Sequence, residues 1–189
     1  EYDTCYFDKK PKFFHYNPEI LLINNIEFDH ADIYENIEMI EKNFLELIAS
    51  MSKESKVLVN SNKVRQSFKK SVSNLNATAK IEFFELSSLD IEEENKQLAC
   101  KALQEILTTE QVLGSLEDYG GVKRRFETIY ENSDFKVIDD FAHHPTAIEE
   151  TLAMAIKENP NVELIVELGS NSMRVGIHDN RLIKIFSTN

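Results

Sequence analysis

Residues 137–148 read Val-Ile-Asp-Asp-Phe-Ala-His-His-Pro-Thr-Ala-Ile, an apolar run that stops at two carboxylates, two imidazoles and a proline. After Pro145, apolar residues recur at helical spacing, so the stretch predicts a strand, a polar loop and a helix. Proline suits the first turn of a helix because that position needs no N–H donor. Ligands bind at the carboxyl ends of strands in open α/β sheets, so this loop is a candidate nucleotide or metal site.

Short apolar runs alternate with helical patterns along the chain, which predicts an α/β fold with a mostly parallel sheet and flanking helices. The expected strands are 20–23, 56–59, 81–86 and 162–168, with a hairpin formed by 126–130 and 135–138. The expected helices include one from Ile33 to Ile48, a short one after a capping box of Thr108 and Gln111, and one from Pro145 to about Asn159. Residues 1–16 are expected to form a short strand or hairpin, and a last helical stretch follows 169–172.

The pair Gly120-Gly121 interrupts the helical pattern, so we place a domain boundary near it and expect domains at 1–118 and 119–189. The net charge of −12 opposes binding to nucleic acid, which is itself a polyanion. No apolar run is long enough to cross a membrane, so no membrane association is expected. The two cysteines lie far apart in the sequence, which fits a reducing cytoplasm and does not predict a disulfide.

Three polar clusters could carry chemistry: Asp-His-Ala-Asp at 29–32, Lys-Arg-Arg at 123–125, and the Asp and His pairs within 139–144. Carboxylates and a neutral imidazole suit a divalent cation, and arginine binds phosphate oxygens in a bidentate manner. Each cluster alone also fits a structural explanation, namely a helix cap, a surface imidazole or a solvated salt bridge. The clusters therefore need a further observation before they indicate a function.

That observation is a resemblance to a known family. Residues 121–127 and 139–146 resemble the opening of the C-terminal domain of the Mur ligases. Residues 24–33, with 1–4 and 12–16 upstream, resemble the central domain of the same family and are most similar to its muropeptide-recycling branch. The segments occur in the family's order, so the resemblance covers most of the chain.

The resemblance implies an ATP-dependent amide ligase of peptidoglycan synthesis or recycling, located in the cytoplasm. In such ligases ATP phosphorylates the lactyl carboxylate of UDP-N-acetylmuramate, and the amine of an amino acid or peptide attacks the acyl phosphate. The expected cofactors are ATP and Mg²⁺, because fixed cations must neutralise charge during phosphoryl transfer. Residues 1–118 would be the central, ATP-binding domain without its start, and 119–189 a truncated Rossmann-like α/β C-terminal domain.

The resemblance also assigns roles to individual residues. His30 matches the family's magnesium ligand, Arg125 the arginine that reaches the ATP phosphates, and Asp140 the carboxylate that binds the nucleotide ribose. His143 occupies the polar position beside it and is, with Arg125, a candidate catalytic residue. Arg124 and Asn25 are weaker candidates for contacts to the nucleotide.

The sequence also departs from the family. It contains no Gly-x-x-x-x-Gly-Lys-Ser/Thr loop, so the phosphate-binding loop and the UDP-sugar domain are expected upstream, and this chain alone is not expected to catalyse the reaction. A non-catalytic descendant that serves as a binding or interaction module is the alternative. A metal-dependent hydrolase is disfavoured because its candidate groups, around His30 and Asp140, fall in two separate domains.

Overall fold

The computed structural model describes residues 4–86, 91–167 and 176–188, and the chain divides into two compact units, Glu1–Glu117 and Asp118–Asn189. The first unit contains a 3-10 helix (Lys12–His15), β1 (Ile20–Ile23), α1 (Ile37–Ser50), β2 (Lys56–Asn60), α2 (Gln66–Ser73), β3 (Lys80–Phe84), α3 (Ile91–Leu103) and α4 (Thr109–Glu117). The second contains β4 (Glu127–Glu131), β5 (Lys136–Asp139), α5 (Pro145–Glu158) and α6 (Asp179–Thr188).

The sheet of the first unit is parallel, with the strand order β1-β2-β3. Lys56 of β2 is aligned with Ile20 of β1 and with Lys80 of β3. Every residue of β2 is buried, as expected of a central strand with helices on both faces. The three predicted parallel strands and their flanking helices are thus confirmed.

The two faces of β2 bury different residues because side chains alternate along a strand. Val57 and Val59 belong to the main core, which α1 and α2 cover on one face. The buried residues of this core are Ile23, Ile26, Tyr34, Ile40, Ile48, Met51, Val57, Val59, Val64, Phe68, Val72 and Ala79. Lys56 and Leu58 point to the opposite face.

That opposite face carries a network of charges. Lys56, whose side chain is only 8% exposed, contacts Glu82 of β3 at 2.9 Å and Glu105, just after α3, at 2.7 Å. Lys101 of α3 also pairs with Glu82. The hydrogen bonds from Lys101 and then Lys56 lower the pKa of Glu82 to about 2. These contacts tie α3 to the sheet because a buried lysine needs a paired carboxylate.

Two predictions for the start of the chain are corrected. Helix α1 begins at Ile37 rather than at Ile33, because the side chain of Asn36 caps it by accepting a hydrogen bond from the N–H of Met39 at 3.1 Å. Within the described residues 4–16 there is one isolated antiparallel bridge, between Thr4 and Pro11, and then the 3-10 helix. Over residues 4–16 the predicted strand or hairpin is wrong, because Pro11 has no N–H to continue a ladder; residues 1–3 lie outside the described residues.

The second unit is built on the predicted hairpin and helix. β4 and β5 pair antiparallel, and α5 begins at Pro145 directly after His144. Ile148 and Leu152 of α5 pack against Leu182 and Ile185 of α6, which places two short apolar stripes face to face. An ion pair between Glu149 of α5 and Arg181 of α6 adds to this contact and lowers the pKa of Glu149.

The strand predicted at 162–168 is wrong over its described part. Residues 161–167 have no regular secondary structure, and the side chain of Ile165 is 90% exposed. The described residues 161–167 pair with neither β4 nor β5, and a strand without a partner is not stable. Leu168 and the predicted turn at 169–172 lie outside the described residues.

None of the described helices is long and apolar enough to span a bilayer.

We predict that Glu82→Gln destabilises the chain by about 1–3 kcal/mol near neutral pH, because it leaves Lys56 and Lys101 with less compensation. Since the folded-state pKa of Glu82 is lowered from 4.5 to about 2, its ion pairs stabilise fully above about pH 4.5 and are lost as the pH falls towards 2. Urea unfolding followed by circular dichroism should therefore show a flatter acid dependence in the variant. Glu46→Gln is the control, because Glu46 is exposed and lies 3.8 Å from Lys42. Equal acid dependence in both variants would contradict this.

Candidate functional site

The loop after β1 carries the predicted metal ligand, His30. Its backbone is fixed by several hydrogen bonds: its N–H donates to Asp29 Oδ1 at 2.7 Å, and its carbonyl accepts from the N–H groups of Ile33 and Tyr34 at 2.8 and 2.9 Å. Tyr34 and Ile26 are buried in the core on either side of it. The half-buried imidazole of His30 is thus attached to a rigid loop at the carboxyl end of the sheet.

Among the described residues, His30 does not belong to a group of three potential metal ligands whose atoms lie within 4.8 Å of one another. The predicted cluster of Asp29, His30 and Asp32 is therefore not assembled as a three-residue cage. Magnesium commonly uses one or two protein ligands, mostly carboxylate oxygens, and completes its octahedron with phosphate oxygens and water. The imidazole nitrogen of His30 would be an unusual ligand and could fill one position of such an octahedron, with oxygen atoms in the others.

Asparagines gather at the same edge of the sheet. Asn60, at the end of β2, is fully buried and donates through Nδ2 to Asn24 Oδ1 at 2.9 Å. Asn60 Oδ1 has no hydrogen-bond partner among the described residues. A buried acceptor of this kind is costly unless water or a ligand donates to it. Asn25, the predicted nucleotide contact, is exposed and donates to Glu27 Oε1 at 3.4 Å.

In the second unit, the carboxylate of Asp140 holds three segments together. Its Oδ2 accepts from the N–H of Phe126 at 2.7 Å, and its Oδ1 accepts from the N–H of Ala142 at 2.7 Å and the hydroxyl of Thr151 at 3.1 Å. A carboxylate has about four acceptor positions, so the three bonds leave about one for a ligand such as a ribose hydroxyl. Asp140 therefore has a structural role in addition to the predicted binding role.

The segment that Asp140 holds is the arginine loop, residues 121–126. Gly121, Arg124 and Phe126 all have positive φ, at 79°, 59° and 50°. This backbone conformation is uncommon for arginine and strained for phenylalanine. It is maintained because the N–H of Arg124 donates to Glu127 Oε2 at 2.7 Å and its carbonyl accepts from Phe141 at 2.8 Å.

Backbone strain is concentrated in the predicted loops. Four non-glycine residues have positive φ among those that the structure describes, and three of them are His30, Arg124 and Phe126. Strained conformations persist only where the surroundings impose them, and they cluster at functional sites. This distribution supports the choice of the two loops as candidate sites.

Phe141 organises the basic groups of the second loop. The guanidinium carbons of Arg124 and Arg125 lie 4.8 and 5.8 Å from the centre of its ring, and the His143 ring lies at 5.0 Å. Arginine stacks favourably on an aromatic face. Arg124 Nε also lies 3.5 Å from Asp139 Oδ2, and both arginines are exposed. The structure thus brings Arg124, Arg125 and His143 to one ring, a role of Phe141 that sequence reasoning missed.

The position of His143 settles which ring nitrogen carries its proton. Nδ1 lies 3.0 Å from the carbonyl oxygen of Phe141, and because a carbonyl can only accept, Nδ1 is the donor. In the neutral imidazole, Nε2 is then the acceptor. His144 does not join this group, because it precedes α5 and its ring packs edge-on against His178 at 4.8 Å.

The donor sets of both loops fit a magnesium nucleotide chemically. The first unit offers the imidazole of His30 and, at the end of β2, the buried acceptor Asn60 Oδ1, which has no hydrogen-bond partner among the described residues. The second unit offers two exposed guanidinium groups and a carboxylate. Guanidinium groups bind phosphate oxygens, and a carboxylate accepts from sugar hydroxyls. The arginine loop by itself can thus bind a polyphosphate and orient it.

Comparison with protein families gives two matches. The family described as Mur ligase middle domain matches residues 9–109, and the one described as Mur ligase, glutamate ligase domain, matches residues 124–174. The matched regions contain His30 in the first case and Arg125 and Asp140 in the second.

Individual relatives give the same result. The chain is 32% identical to the UDP-N-acetylmuramate--L-alanyl-gamma-D-glutamyl-meso-2,6-diaminoheptandioate ligase of Haemophilus influenzae, over 94% of this chain and 46% of the relative. It is 27% identical to the UDP-N-acetylmuramate--L-alanine ligase of Borreliella afzelii, over 82% and 41%. A crystal structure of a murein peptide ligase from Psychrobacter arcticus superposes with a TM-score of 0.66 at 28% identity, covering 98% of this chain and 45% of that one. The chain thus spans about half the length of the relatives it matches.

We predict that Asp140→Ala loosens the arginine loop, because it removes the acceptor for the N–H groups of Phe126 and Ala142. Each of these two N–H groups loses one hydrogen bond to a charged group, which contributes about 1.5–3 kcal/mol, so local opening at each amide should become easier by about 2 kcal/mol. Amide hydrogen exchange should show faster exchange at these two positions. Asp134→Ala, which removes an exposed carboxylate from the β4–β5 turn, is the control and should leave them protected. Unchanged protection in Asp140→Ala would show that the carboxylate does not fix the loop.

Proposed function

The chain belongs to the Mur ligase family, and from this we propose that it is the middle and C-terminal part of an ATP-dependent ligase of peptidoglycan metabolism. The whole protein would join an amino acid or peptide to UDP-N-acetylmuramate through an acyl phosphate. The observation that carries the proposal is the rigid arginine loop, which presents Arg124 and Arg125 beside the carboxylate of Asp140 within a segment that matches the family. We assign residues 1–118 to the middle domain and 119–189 to a Rossmann-like C-terminal domain.

The proposed reaction requires an activated carboxylate. A carboxylate oxygen attacks the terminal phosphorus of ATP, ADP leaves, and the amine then displaces phosphate from the acyl group. Magnesium, when bound, would neutralise charge on the phosphates. The residues of this chain would contribute fixed positive charge, orientation of the nucleotide and exchange of protons at defined atoms.

We propose a role in binding the magnesium nucleotide for each candidate residue. His30 would ligate magnesium through its imidazole, and Asn25 would contact the nucleotide from the same loop. Arg125, which is exposed and whose guanidinium lies farther from the Phe141 ring than that of Arg124, would bind the phosphates. Arg124, which stacks on Phe141 and lies near Asp139, would support it.

Asp140 and His143 complete the proposal in the second unit. Asp140 would accept from the ribose through the acceptor position that its three internal hydrogen bonds leave. His143 would receive or release a proton at Nε2, because Nδ1 is engaged with the carbonyl of Phe141. A cytoplasmic location is part of the same proposal, since the reaction consumes ATP.

The proposal also covers the identity of the amine substrate. The relatives from Haemophilus influenzae and Escherichia coli, which match over 94% of this chain, are named as ligases of L-alanyl-gamma-D-glutamyl-meso-2,6-diaminoheptandioate, whereas the L-alanine ligase of Borreliella afzelii matches over 82%. We propose that this tripeptide, rather than L-alanine, is the amine substrate. The alternative of a non-catalytic interaction module predicts that neither amine supports turnover, so an assay with each amine separates the readings.

We predict that Arg125→Ala, made in the full-length protein that contains this chain, lowers kcat/KM for ATP by about 100-fold, because a charged contact to the transferred phosphate is lost. Release of phosphate in the presence of UDP-N-acetylmuramate and the tripeptide is the measurement. Lys123→Ala is the matched control, since Lys123 is an exposed neighbour of the same charge, and it should change the rate by less than about twofold. Equal effects of the two substitutions would refute the assigned role of Arg125.

A further inference from the structure

The turn at residues 4–15 brings together three side chains that the proposed ligase reaction does not use. The Sγ atom of Cys5, a carboxylate oxygen of Asp8 and a ring nitrogen of His15 all lie within 4.8 Å of one another. Two residues lie between Cys5 and Asp8 and six between Asp8 and His15, a spacing that does not by itself indicate a metal site. They are the one group of three close potential metal ligands that the structure describes.

The backbone holds these residues close. The N–H of Cys5 donates to the carbonyl of Lys10 at 2.8 Å, and the N–H of Lys9 donates to the carbonyl of Cys5 at 3.0 Å. Thr4 and Pro11 form a bridge across the base of the turn. Lys9 has a φ of 57°, which lets the chain reverse direction within a few residues. Cys5 and Asp8 are therefore on a closed turn rather than on an extended segment.

The helix that carries the third ligand is attached to the core by packing. His15 ends the 3-10 helix, and Phe13 of the same helix stacks on Phe44 of α1 with a ring separation of 4.9 Å. The turn is thereby attached to the core of the first unit. His15 Nε2 lies 3.0 Å from Asp8 Oδ2, while Asp8 Oδ1 accepts from the N–H of Lys10 at 3.0 Å. The hydrogen bond from the N–H of Lys10 and, to a smaller extent, the charge of His15 lower the pKa of Asp8.

We propose that Cys5, Asp8 and His15 form a binding site for Zn²⁺. Thiolate, imidazole and carboxylate are all ligands of zinc, whereas magnesium and calcium take oxygen ligands almost entirely. The side chains of His15 and Asp8 are 52% and 36% exposed, so water can supply the fourth ligand of a tetrahedral site. Zinc replaces the protons of the thiol and of the Asp8–His15 pair, and binding therefore releases protons.

The required movement is small. Metal–ligand bonds of about 2.0–2.3 Å place neighbouring tetrahedral ligand atoms about 3.3–3.8 Å apart. The ligand atoms here already lie within 4.8 Å, so shifts of about 1 Å in exposed side chains suffice. The bound ion would join the turn to the 3-10 helix and so stabilise the fold by mass action. The site is independent of the proposed ligase function.

Cobalt titration of the full chain under reducing conditions tests the site, since Co²⁺ replaces Zn²⁺ and reports a thiolate ligand by a charge-transfer band in the near ultraviolet. We expect one equivalent of Co²⁺ to produce this band, and Zn²⁺ to abolish it by displacement. Cys5→Ser should remove the band, and His15→Ala should weaken binding by more than about tenfold, as loss of a direct ligand costs at least as much as loss of an outer contact.

Cys100→Ser is the matched control, because Cys100 is the other free cysteine and should not affect the band. Thermal unfolding with and without Zn²⁺ gives a second readout, in which zinc raises the Tm of the wild-type chain and of Cys100→Ser but not that of Cys5→Ser. Absence of the band in the wild-type chain, its persistence in Cys5→Ser, or its loss in Cys100→Ser would each overturn the proposal.

Discussion

The carboxylate of Asp140 is the constraint on which the second unit depends. It accepts hydrogen bonds from the arginine loop, from the segment after β5 and from α5, so one side chain links a hairpin to a helix. Because these donors are two backbone N–H groups and a hydroxyl, the negative charge is compensated without a full ion pair. The strained φ of Phe126 is maintained by its hydrogen bond to Asp140, and that of Arg124 by its bonds to Glu127 and Phe141, so the loop presents the exposed guanidinium of Arg125.

In the first unit, the burial of apolar residues holds the polar loop in place. A fully buried central strand fixes the parallel sheet, and its carboxyl edge carries Asn24, Asn60 and the loop of His30. The rigid sheet and the anchors Ile26 and Tyr34 fix a loop that has no regular structure of its own. Both units thus attach polar, partly strained loops to well-packed elements, as binding sites require.

Local signals in the sequence predicted most elements correctly. Pro145 marked the start of α5, and the reciprocal hydrogen bonds of Thr108 and Gln111 form the predicted capping box at 3.3 and 2.9 Å. Where the secondary structure of a segment depended on residues distant in the sequence, the sequence pattern alone did not predict it. The apolar run from Val162 resembles a strand, but a strand needs a neighbour to pair with, and periodicity cannot show whether one is present.

The candidate site was predictable only in part. The polar clusters could be found because charged residues directly follow apolar runs, and the family resemblance selected among them. The stacking of two arginines on Phe141, the internal hydrogen bonds of Asp140 and the proximity of Cys5 to His15 depend on backbone conformation. Positive φ at non-glycine residues such as Arg124 has no reliable sequence signal, since most residues avoid it.

The central claim is that the longer protein activates a carboxylate as an acyl phosphate, and an isotope experiment tests it most directly. UDP-N-acetylmuramate labelled with oxygen-18 in its lactyl carboxylate is incubated with the full-length protein, Mg-ATP and the tripeptide, and the released phosphate is analysed by mass spectrometry. The account predicts that the phosphate carries one labelled oxygen, because the bridging oxygen of an acyl phosphate leaves with phosphorus. Phosphate without label would contradict it.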